Sequence, residues 1–387
     1  MKAVGFGLVI VIFIGLFGGL NYYIGIRGWQ RIGSLLPFMN VKIYWVIFWI
    51  IAFSYIAAKL GERFLPNSIA NYLNIIGGYW MAAMLYFFIL IPVADIARLA
   101  GKKVSFIPQA VKDNVIIKTY SGVLILFIVL GILIYGTLNA KNIKVTNYTI
   151  NVAKNAGSIK QLRIAMLSDA HLGAIVDNSR LSKMVDKINE LNPDIVLMAG
   201  DIVDEKIDPF IKQNMGENFR RIKSKYGVYA VTGNHEYYGG DATEIIKSLE
   251  DSGVKVLTDK YLKIADSFYI AGREDIAVES YYKRKRKSVE QILEGVDKNF
   301  PIILMDHNPK DLLEPRNAGV DLQVSGHTHR GQMYPSQFVT SMLYELDFGY
   351  IKKDDFNVVV SSGIGTWGPP IRVGNSSELV EINLNFN

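Results

Sequence analysis

The 387-residue sequence predicts two structurally different parts, an all-α bundle of four transmembrane helices and, after it, an α/β domain. Three observations lead to this fold class. Four long apolar runs without charged residues occupy the first part of the chain. Strand-like runs then alternate with amphipathic helix-like runs, and polar side chains follow directly after several of the predicted strands.

The apolar runs are each about as long as a bilayer is thick or slightly shorter, and none contains Asp, Glu, Lys or Arg. They cover residues 3–24, 43–58, 73–93 and 121–138. The first run could instead be a cleaved signal peptide, since Lys2 precedes it. No small-residue cleavage site followed by a soluble domain occurs before the second run. We therefore predict a transmembrane helical domain over residues 1–138.

The positive charge of the chain belongs to this membrane part. Residues 1–145 hold 13 Lys or Arg against 3 acidic residues, whereas the remainder holds 29 against 33, so the basicity does not argue for a nucleic-acid partner. Segments 25–42 and 94–119 carry more Lys and Arg than the segments on the opposite side of the membrane. Lys112 is counted in the first set and Arg63 in the second. The positive-inside rule then predicts a multi-pass protein of the cell membrane with the rest of the chain outside the cytoplasm.

Residues 139–160 are polar and contain a short alternating stretch, which we interpret as a connector leading into a first edge strand. Over residues 161–387, apolar strands, polar loops and amphipathic helices follow in turn, which is typical of α/β domains with a mixed sheet or two sheets packed face to face. Helices are predicted at 178–191, 209–224 and 242–252. Strands are predicted at 162–167, 195–198, 227–232, 254–257, 268–272, 301–305, 321–325, 356–360 and 379–384.

Polar side chains follow the ends of these strands, and all 5 histidines of the chain are among them. In extended backbone, residues i and i+2 point to one side, so Asp169 with His171 and His327 with His329 can each present two ligands to a common point. Open α/β sheets place their ligands at this edge. Imidazole nitrogen and carboxylate oxygen together suit Zn, Mn or Fe. The sequence therefore predicts a metal site.

The full order of these blocks, D-x-H, G-D, G-N-H-[DE], H and G-H-x-H, runs from Asp169 to His329. On these residues the sequence resembles the calcineurin-like metallophosphoesterase superfamily, over roughly residues 160–385. The segment "SSGIGTWGPPIR", residues 361–372, also resembles the membrane-anchored subgroup with N-terminal transmembrane helices. The resemblance implies a four-layer αββα sandwich and hydrolysis at phosphorus.

Carried over residue by residue, the resemblance implies two divalent metal ions, Mn, Fe or Zn. One would be held by Asp169, His171, Asp201 and His329, and the other by Asp201, Asn234, His307 and His327. Asp201 would bridge them. Two such cations can each hold a phosphate oxygen and can deprotonate a bridging water for in-line attack at phosphorus.

The resemblance also implies that His235 donates a proton to the leaving alkoxide, or stabilises its charge, and that Asp204 orients its imidazole. Glu236 and Arg372 are candidates for substrate binding, Arg372 by bidentate pairing with a phosphate. Each has a plainer alternative. Asp204 or Glu236 could be a solvated carboxylate or a helix cap, and the segment ending at Arg372 could be a proline-stiffened loop that only closes the fold.

The sequence thus predicts a membrane-anchored enzyme that hydrolyses a phosphodiester, pyrophosphate or phosphomonoester bond in a lipid-linked or envelope substrate, with membrane lipids as partners. The alternative is a non-enzymatic binding or regulatory module of the same fold attached to a membrane receptor or transporter. No expected ligand is missing, and Asp95 is predicted just past the third apolar run, which argues against coupled transport. The basic run 281–287 could meet anionic head groups or could be a solvated loop before a helix at Ser288.

Overall fold

The computed structural model describes residues 2–61, 64–105, 108–109 and 114–387. Arg63 and Lys112, which the topology count uses, lie outside the described residues. The chain divides into two compact units. The first runs to Gly136 and includes Gly368–Pro370, and the second consists of Thr137–Trp367 and Ile371–Asn387.

Long helices dominate the first part of the chain because its residues are almost uniformly apolar. They are α1 (Lys2–Ile32), α2 (Val41–Gly61), α3 (Asn67–Lys103) and α4 (Val115–Lys141), with a 3₁₀ turn at Gly33–Leu35. Within the described residues, three helices are long and apolar enough to cross a membrane, over Val41–Gly61, Ser68–Lys103 and Val115–Lys141. Because α1 is not one of these three, the count of four membrane helices stays a prediction.

Charged side chains join three helices of the first unit. Arg31 of α1 donates to Asp95 of α3 at 2.5 Å and to the Ser121 hydroxyl of α4 at 2.7 Å. Arg27 pairs with the second carboxylate oxygen of Asp95 at 3.1 Å. Asp95 lies just past the apolar run 73–93, and α3 continues beyond it to Lys103. The ion pairs give each of these charges a partner within the helical unit.

The second unit contains two six-stranded sheets, with strand orders β1-β12-β2-β3-β4-β5 and β10-β11-β9-β8-β7-β6. The strands of the first sheet are β1 (Ile143–Val152), β2 (Gln161–Leu167), β3 (Ile195–Ala199), β4 (Val228–Val231), β5 (Val254–Val256) and β12 (Ser377–Phe386). Those of the second are β6 (Lys260–Ile264), β7 (Phe268–Gly272), β8 (Ile302–Met305), β9 (Leu322–Ser325), β10 (Gly349–Lys353) and β11 (Phe356–Val360). Both sheets are mixed, with parallel pairing in their centres.

The helices of the second unit follow the predicted order with one break. They are α5 (Asn178–Glu190), α6 (Asp208–Lys212), α7 (Gly216–Arg220), α8 (His235–Tyr238), α9 (Ala242–Asp251), α10 (Ala277–Tyr281), α11 (Val289–Ile292), α12 (Leu313–Ala318) and α13 (Gln337–Leu343), with a 3₁₀ turn at His329–Gly331. The single helix predicted at 209–224 was wrong. Asn214 adopts a φ of 53° between α6 and α7, a left-handed conformation that an α-helix cannot contain.

Buried side chains of the second unit form separate clusters. One combines residues of both sheets, for example Ile164 and Leu197 of the first with Ile270 and Val324 of the second. A second cluster joins the first sheet to α5 and α9, and a third joins the second sheet to α11 and α12. Each fully buried aliphatic side chain contributes about 1.5–3 kcal/mol. The mixed α/β architecture is confirmed, while the exact four-layer arrangement stays a prediction.

Candidate metal centre

The predicted site residues lie in loops that follow the carboxyl ends of parallel-paired strands. β2, β3 and β4 are neighbours in the first sheet, and β8 and β9 are neighbours in the second. Asp169 and His171 follow β2, Asp201 follows β3, Asn234 and His235 follow β4, His307 follows β8, and His327 and His329 follow β9. Because parallel strands end at one edge of a sheet, each sheet presents its polar loops together.

Backbone bonds fasten these loops to one another. The Asp169 amide donates to the Gly200 carbonyl and the His171 amide to the Asp201 carbonyl, each at 3.0 Å. The His327 amide donates to the Asp169 carboxylate at 3.0 Å, which connects the loop after β9 with the loop after β2. These bonds fix the direction of the side chains, as a preorganised site requires.

Several of these residues adopt a left-handed backbone that non-glycine residues rarely use. Asp169, His171, Asp201 and His329 have φ values of 53°, 46°, 51° and 49°, at a cost of about 1–3 kcal/mol each. Strain of this kind clusters at functional sites, where the surrounding structure holds it. The close approach of His307 explains why residue 200 is a glycine, since a Cβ on Gly200 would lie 2.6 Å from Nδ1 of His307.

Asp169, His171 and His329 form the first group whose ligand atoms could hold a metal ion, all within 4.8 Å of one another. The Nε2 atoms of His171 and His329 are 3.0 Å apart, and Nε2 of His329 is 3.3 Å from an oxygen of Asp169. The carboxylate of Asp201 lies 3.8 Å from Nε2 of His171. The structure thus brings together the four side chains predicted for one metal.

Asp201, His307 and His327 form a second group within the same 4.8 Å limit. Nε2 of His307 is 3.1 Å from Oδ2 of Asp201, the oxygen that also approaches His171. Asn234 joins this group, because its amide oxygen is 2.8 Å from Nδ1 of His327. The two groups therefore share Asp201, as the prediction requires.

His307 gives a direct test of whether these residues fit a metal. Its Nδ1 lies 2.7 Å from the Ala199 carbonyl oxygen, which can only accept, so the proton is on Nδ1. Nε2 is buried, has no hydrogen-bond partner among the described residues, and lies 3.1 Å from Oδ2 of Asp201, so in the neutral imidazole its lone pair faces a carboxylate. A buried lone pair without a partner is costly unless a cation or donor meets it. Together with the carboxylates, this donor set fits a borderline divalent cation.

The electrostatics favour an ionised Asp201 and a neutral His329. Burial would lower the pKa of the His307 imidazole, but Asp201 raises it well above the ordinary histidine value, so a cation there would have to displace a proton from Nε2. Burial would raise the pKa of Asp201, but the charges of His307 and His235 hold this pKa well below its usual range. Burial and the positive charge of His171 lower the pKa of His329 well below the ordinary histidine value. An ionised carboxylate and a neutral imidazole are the forms that coordinate a cation.

His235 and Asp204 lie beside the two groups and form, with His171, a third group whose ligand atoms fall within the same 4.8 Å limit. Nδ1 of His235 is 3.0 Å from Oδ1 of Asp204, and the His235 amide donates to Oδ1 of Asp201 at 2.8 Å. Burial would lower the pKa of the His235 imidazole, but Asp201 and Asp204 raise it to about 9. The imidazole therefore carries a proton near neutral pH and can donate it.

The two predicted substrate-binding residues are both buried. The carboxylate of Glu236 accepts hydrogen bonds from four backbone amides, those of Asp201, Ile202, Val203 and Gly233. It holds the ligand loops together, and a carboxylate so occupied has little capacity left for a substrate. This bonding fits a structural role, and the direct substrate contact of Glu236 stays a prediction.

Arg372 is also fully buried. Its guanidinium donates to the Gly365 carbonyl at 2.8 and 3.0 Å and lies 3.4 Å from Nδ1 of His329. This placement agrees with the alternative in which the segment closes the fold, and the pairing with a substrate phosphate stays a prediction. Bidentate phosphate binding and a buried structural arginine look alike in a sequence.

The basic run 281–287 is partly neutralised. Arg284 pairs with the buried Glu274 at 2.6 Å, and Arg286 pairs with the buried Asp306 at 3.2 Å. Ser288 caps α11 through a capping box with Gln291, as the solvated-loop alternative expects.

Sequence reasoning missed Glu378 and Tyr238. Glu378 is buried and accepts from the Ser362 amide at 2.9 Å and the Thr146 hydroxyl at 2.6 Å, which holds the loop that begins at Ser361. The Tyr238 ring lies 5.0 Å from the His235 ring. The signal for Glu378 was a carboxylate directly before the apolar pair Leu379 and Val380 at the start of β12, and the signal for Tyr238 was an aromatic pair directly after the G-N-H-[DE] block.

Comparisons with known proteins agree with this geometry. The calcineurin-like phosphoesterase family matches residues 162–331. A transmembrane protein with metallophosphoesterase domain from Danio rerio is 33% identical over 274 residues, 68% of this chain and 62% of that protein. An uncharacterized metallophosphoesterase from Campylobacter jejuni is 33% identical over 279 residues, 69% of this chain and 72% of that protein. Another from Aquifex aeolicus is 30% identical over 256 residues, 65% of this chain and 95% of that protein.

This chain therefore spans less than two thirds of the Danio rerio protein, but it covers more than two thirds of the two bacterial relatives. The family match contains every residue from Asp169 to His329, and with them both groups of possible metal ligands. On these grounds the chain belongs to the calcineurin-like metallophosphoesterase family.

Proposed function

We propose that this protein is a membrane-anchored, dimetal phosphoesterase. One observation carries the proposal: the seven side chains predicted as ligands converge in two adjacent groups that share Asp201. The 3.1 Å separation of Nε2 of His307 from Oδ2 of Asp201 supports the proposal, because it sets a nitrogen and an oxygen donor where one cation could meet both. The proposed substrate contains a phosphodiester, pyrophosphate or phosphomonoester bond.

The proposed metals are two divalent ions, Mn, Fe or Zn. Asp169, His171, Asp201 and His329 would hold one, and Asp201, Asn234, His307 and His327 would hold the other. When bound, such ions polarise phosphoryl oxygens and make a water nucleophilic near neutral pH.

Proton donation and positioning are the roles proposed for side chains that would not hold the two metals. Asp204 accepts from Nδ1 of His235 and so directs Nε2 of the imidazole toward the leaving group. His235 would then give its proton to the departing alkoxide, an effect typically of about 10²- to 10⁴-fold on rate. Glu236 would act indirectly, since it fixes the backbone of the loop that bears Asp201.

The lipid-linked or envelope nature of the substrate is a further part of the proposal. It is supported by the three helices that are apolar and long enough to cross a membrane, and by the name of the Danio rerio relative as a transmembrane protein. We also propose that the membrane part has four spans, that the hydrolase part begins near residue 161 with four αββα layers, and that it lies outside the cytoplasm of a cell-membrane protein.

The test uses the full chain purified in detergent and loaded separately with Mn, Zn and Mg. A panel of phosphodiesters, pyrophosphates and phosphomonoesters, soluble and lipid-linked, is assayed for wild type, Asp201→Asn and the control Asp208→Asn, whose carboxylate is exposed on α6. We expect Asp201→Asn to lose bound metal and nearly all turnover, because it weakens both groups, and the control to keep both. Wild-type protein without bound metal or turnover would instead support a binding module of the same fold.

A further inference from the structure

Exposed apolar side chains surround the proposed active site. Met342 and Leu343 of α13 are 78% and 69% exposed, and Trp367 is 49% exposed. We use the name apolar rim for the exposed side chains of Tyr238, Phe338, Val339, Met342, Leu343 and Trp367. Exposed large apolar side chains grouped around a site often mark a surface that binds something.

One half of the apolar rim touches the proposed proton donor. The ring of Trp367 lies 5.8 Å from the ring of His235, and the ring of Tyr238 lies 5.0 Å from it. Gln332 bonds to the backbone of Trp367 in both directions, at 2.9 Å each. The backbone amide of Gln332 donates to the His329 carbonyl at 2.9 Å, so Gln332 links Trp367 to a proposed metal ligand.

The other half of the apolar rim is α13, which is also tied to the site. Thr340 of α13 and Thr328 both donate to Asp347, at 2.6 and 2.5 Å. Thr328 stands between His327 and His329 in the chain. Tyr344, directly after α13, places its ring 6.1 Å from the ring of His327. The orientation of α13 is thus fixed with respect to the proposed ligands.

The composition of α13 fits a lipid surface. None of its seven residues, all of which the structure describes, is buried, and none is charged. Phe, Val, Met and Leu therefore face outward with only Gln, Thr and Ser between them. Tyr and Trp, the other members of the apolar rim, are the side chains that prefer the boundary between head groups and acyl chains.

Nearby cations match the head groups of such a surface. Tyr281, which begins the basic run, packs against Tyr238 of the apolar rim with ring centroids 5.5 Å apart. Lys285 and Lys287 of this run are exposed, and a cation near an anionic membrane is attracted to it. The chain also carries helices that can span a bilayer, so a lipid surface is tethered to it.

We infer that the apolar rim inserts into the head-group boundary of a lipid bilayer, and that the phosphoester of a lipid-linked substrate reaches the metal centre from that surface. The entry of the substrate from the bilayer rests on the proposed function, whereas the insertion of the apolar rim does not. The single occupant of the apolar rim is thus the bilayer, and contact with a second copy of the chain or another protein is a competing outcome of the test.

Insertion can be measured directly because the sequence contains no cysteine. Met342→Cys and the control Lys247→Cys, exposed on α9, are labelled with an environment-sensitive fluorophore in the full chain reconstituted in nanodiscs. We expect blue-shifted emission at position 342 that brominated lipids quench, and water-like emission without quenching at position 247. Water-like emission at 342, or a blue shift that brominated lipids do not quench, would overturn the inference, the latter by indicating protein contact.

Substrate entry is tested with two phosphodiesters that release the same 4-nitrophenolate, one soluble and one carrying a lipid tail in vesicles. The double variant Met342→Glu/Leu343→Glu should lose about tenfold in turnover of the lipid-tailed ester, because even one lost apolar contact is of that order. Turnover of the soluble ester should not change, and Met342→Leu should behave as wild type. Equal rates of the double variant and wild type on the lipid-tailed ester would contradict entry from the bilayer.

The two proposals fail in different ways. Absence of hydrolysis of both esters by metal-loaded wild type would contradict the proposed function, while the fluorophore would still decide insertion. Normal hydrolysis with an unquenched fluorophore would leave the phosphoesterase intact and remove only the apolar rim as a lipid contact.

Discussion

At the scale of single residues, substitution of His235 should affect proton transfer without affecting metal binding. Its Nδ1 bonds to Asp204 rather than to a proposed metal ligand, so His235→Asn should keep the metal content. For alkyl phosphoesters we expect kcat to fall by about 10²- to 10⁴-fold, because an alkoxide needs a proton to leave. For 4-nitrophenyl esters the loss should be small, since nitrophenolate leaves without one. Steady-state kinetics on both substrate types, with metal analysis, measures this.

Asp204→Asn provides the matched comparison. It keeps a side chain able to orient the imidazole but removes the charge that raises the His235 pKa, so its effect should fall between wild type and His235→Asn. If His235→Asn slowed both types of ester equally, or if it lost metal, the side chain would support the structure instead of donating a proton.

Gly233 shows how closely the ligand loops approach each other. A Cβ at this position would lie 2.6 Å from the Asp201 amide nitrogen, and closer still to its carboxylate. Gly233→Ala must therefore displace the residue shared by both ligand groups, and a displacement of about 1 Å can cost about 10²-fold in rate. We expect weaker metal binding by calorimetry and turnover lower by that order. Gly173→Ala, whose Cβ would make an ordinary 3.5 Å contact with Asp204, should retain both.

At the scale of elements, the central strands were predictable because their residues are buried on both faces. The burial of every residue of β3 and β8 explains the continuous apolar runs that mark them. The unpredicted strands β6 and β10 lie at the two edges of the second sheet, and each contains two lysines beside half-buried residues. Such segments look like loops, because cross-strand pairing rather than composition makes them strands.

The site residues whose placement follows from local spacing in the sequence could be predicted. A D-x-H or G-H-x-H block places ligands by spacing alone, so Asp169, His171, His327 and His329 could be proposed together. The positions of Glu236 and Arg372 could not be predicted, since they depend on amides and carbonyls of other loops. Charge and proximity in sequence suggested a substrate contact, whereas the burial of both side chains fits the support of the ligand loops.

The ion pairs of Asp95 give an element-scale prediction for the helical unit. Asp95 accepts from Arg31, whose side chain is only 6% exposed, and from Arg27 of the same helix. Asp95→Ala leaves a buried guanidinium without its partner, which should destabilise the packing of α1 against α3 by about 3–5 kcal/mol. Thermal unfolding in detergent, followed by tryptophan fluorescence, should show a lower midpoint.

Two further variants define the outcome. Lys102→Ala, exposed near the end of α3, should unfold like wild type. Asp95→Leu combined with Arg31→Leu should recover much of the lost stability, because replacing both partners of a buried pair by apolar groups costs little. An unchanged midpoint for Asp95→Ala would mean that the pair does not hold these helices together.

At the scale of the whole molecule, the sign of the net charge differs between the first part of the chain and the rest. The cations outnumber the acidic residues in the first 145 residues, and the reverse holds after them. The proposed function accounts for this division, since a buried acidic and histidine-rich site would attract divalent cations, whereas basic loops beside apolar helices would set the membrane orientation. Under that proposal, one part of the chain is adapted to lipid and the other to metal-dependent chemistry on phosphate.

The orientation of the membrane part yields a prediction for the intact molecule. Because the cations of segments 25–42 and 94–119 should stay in the cytoplasm, the second unit should face the other side. The natural absence of cysteine permits a direct measurement with Lys247→Cys in the second unit and Lys103→Cys at the end of α3. In intact bacterial cells, a membrane-impermeant maleimide should label position 247, and position 103 should react only after permeabilisation. The reverse pattern would place the metal centre in the cytoplasm and limit its substrates to phosphoesters of the inner leaflet.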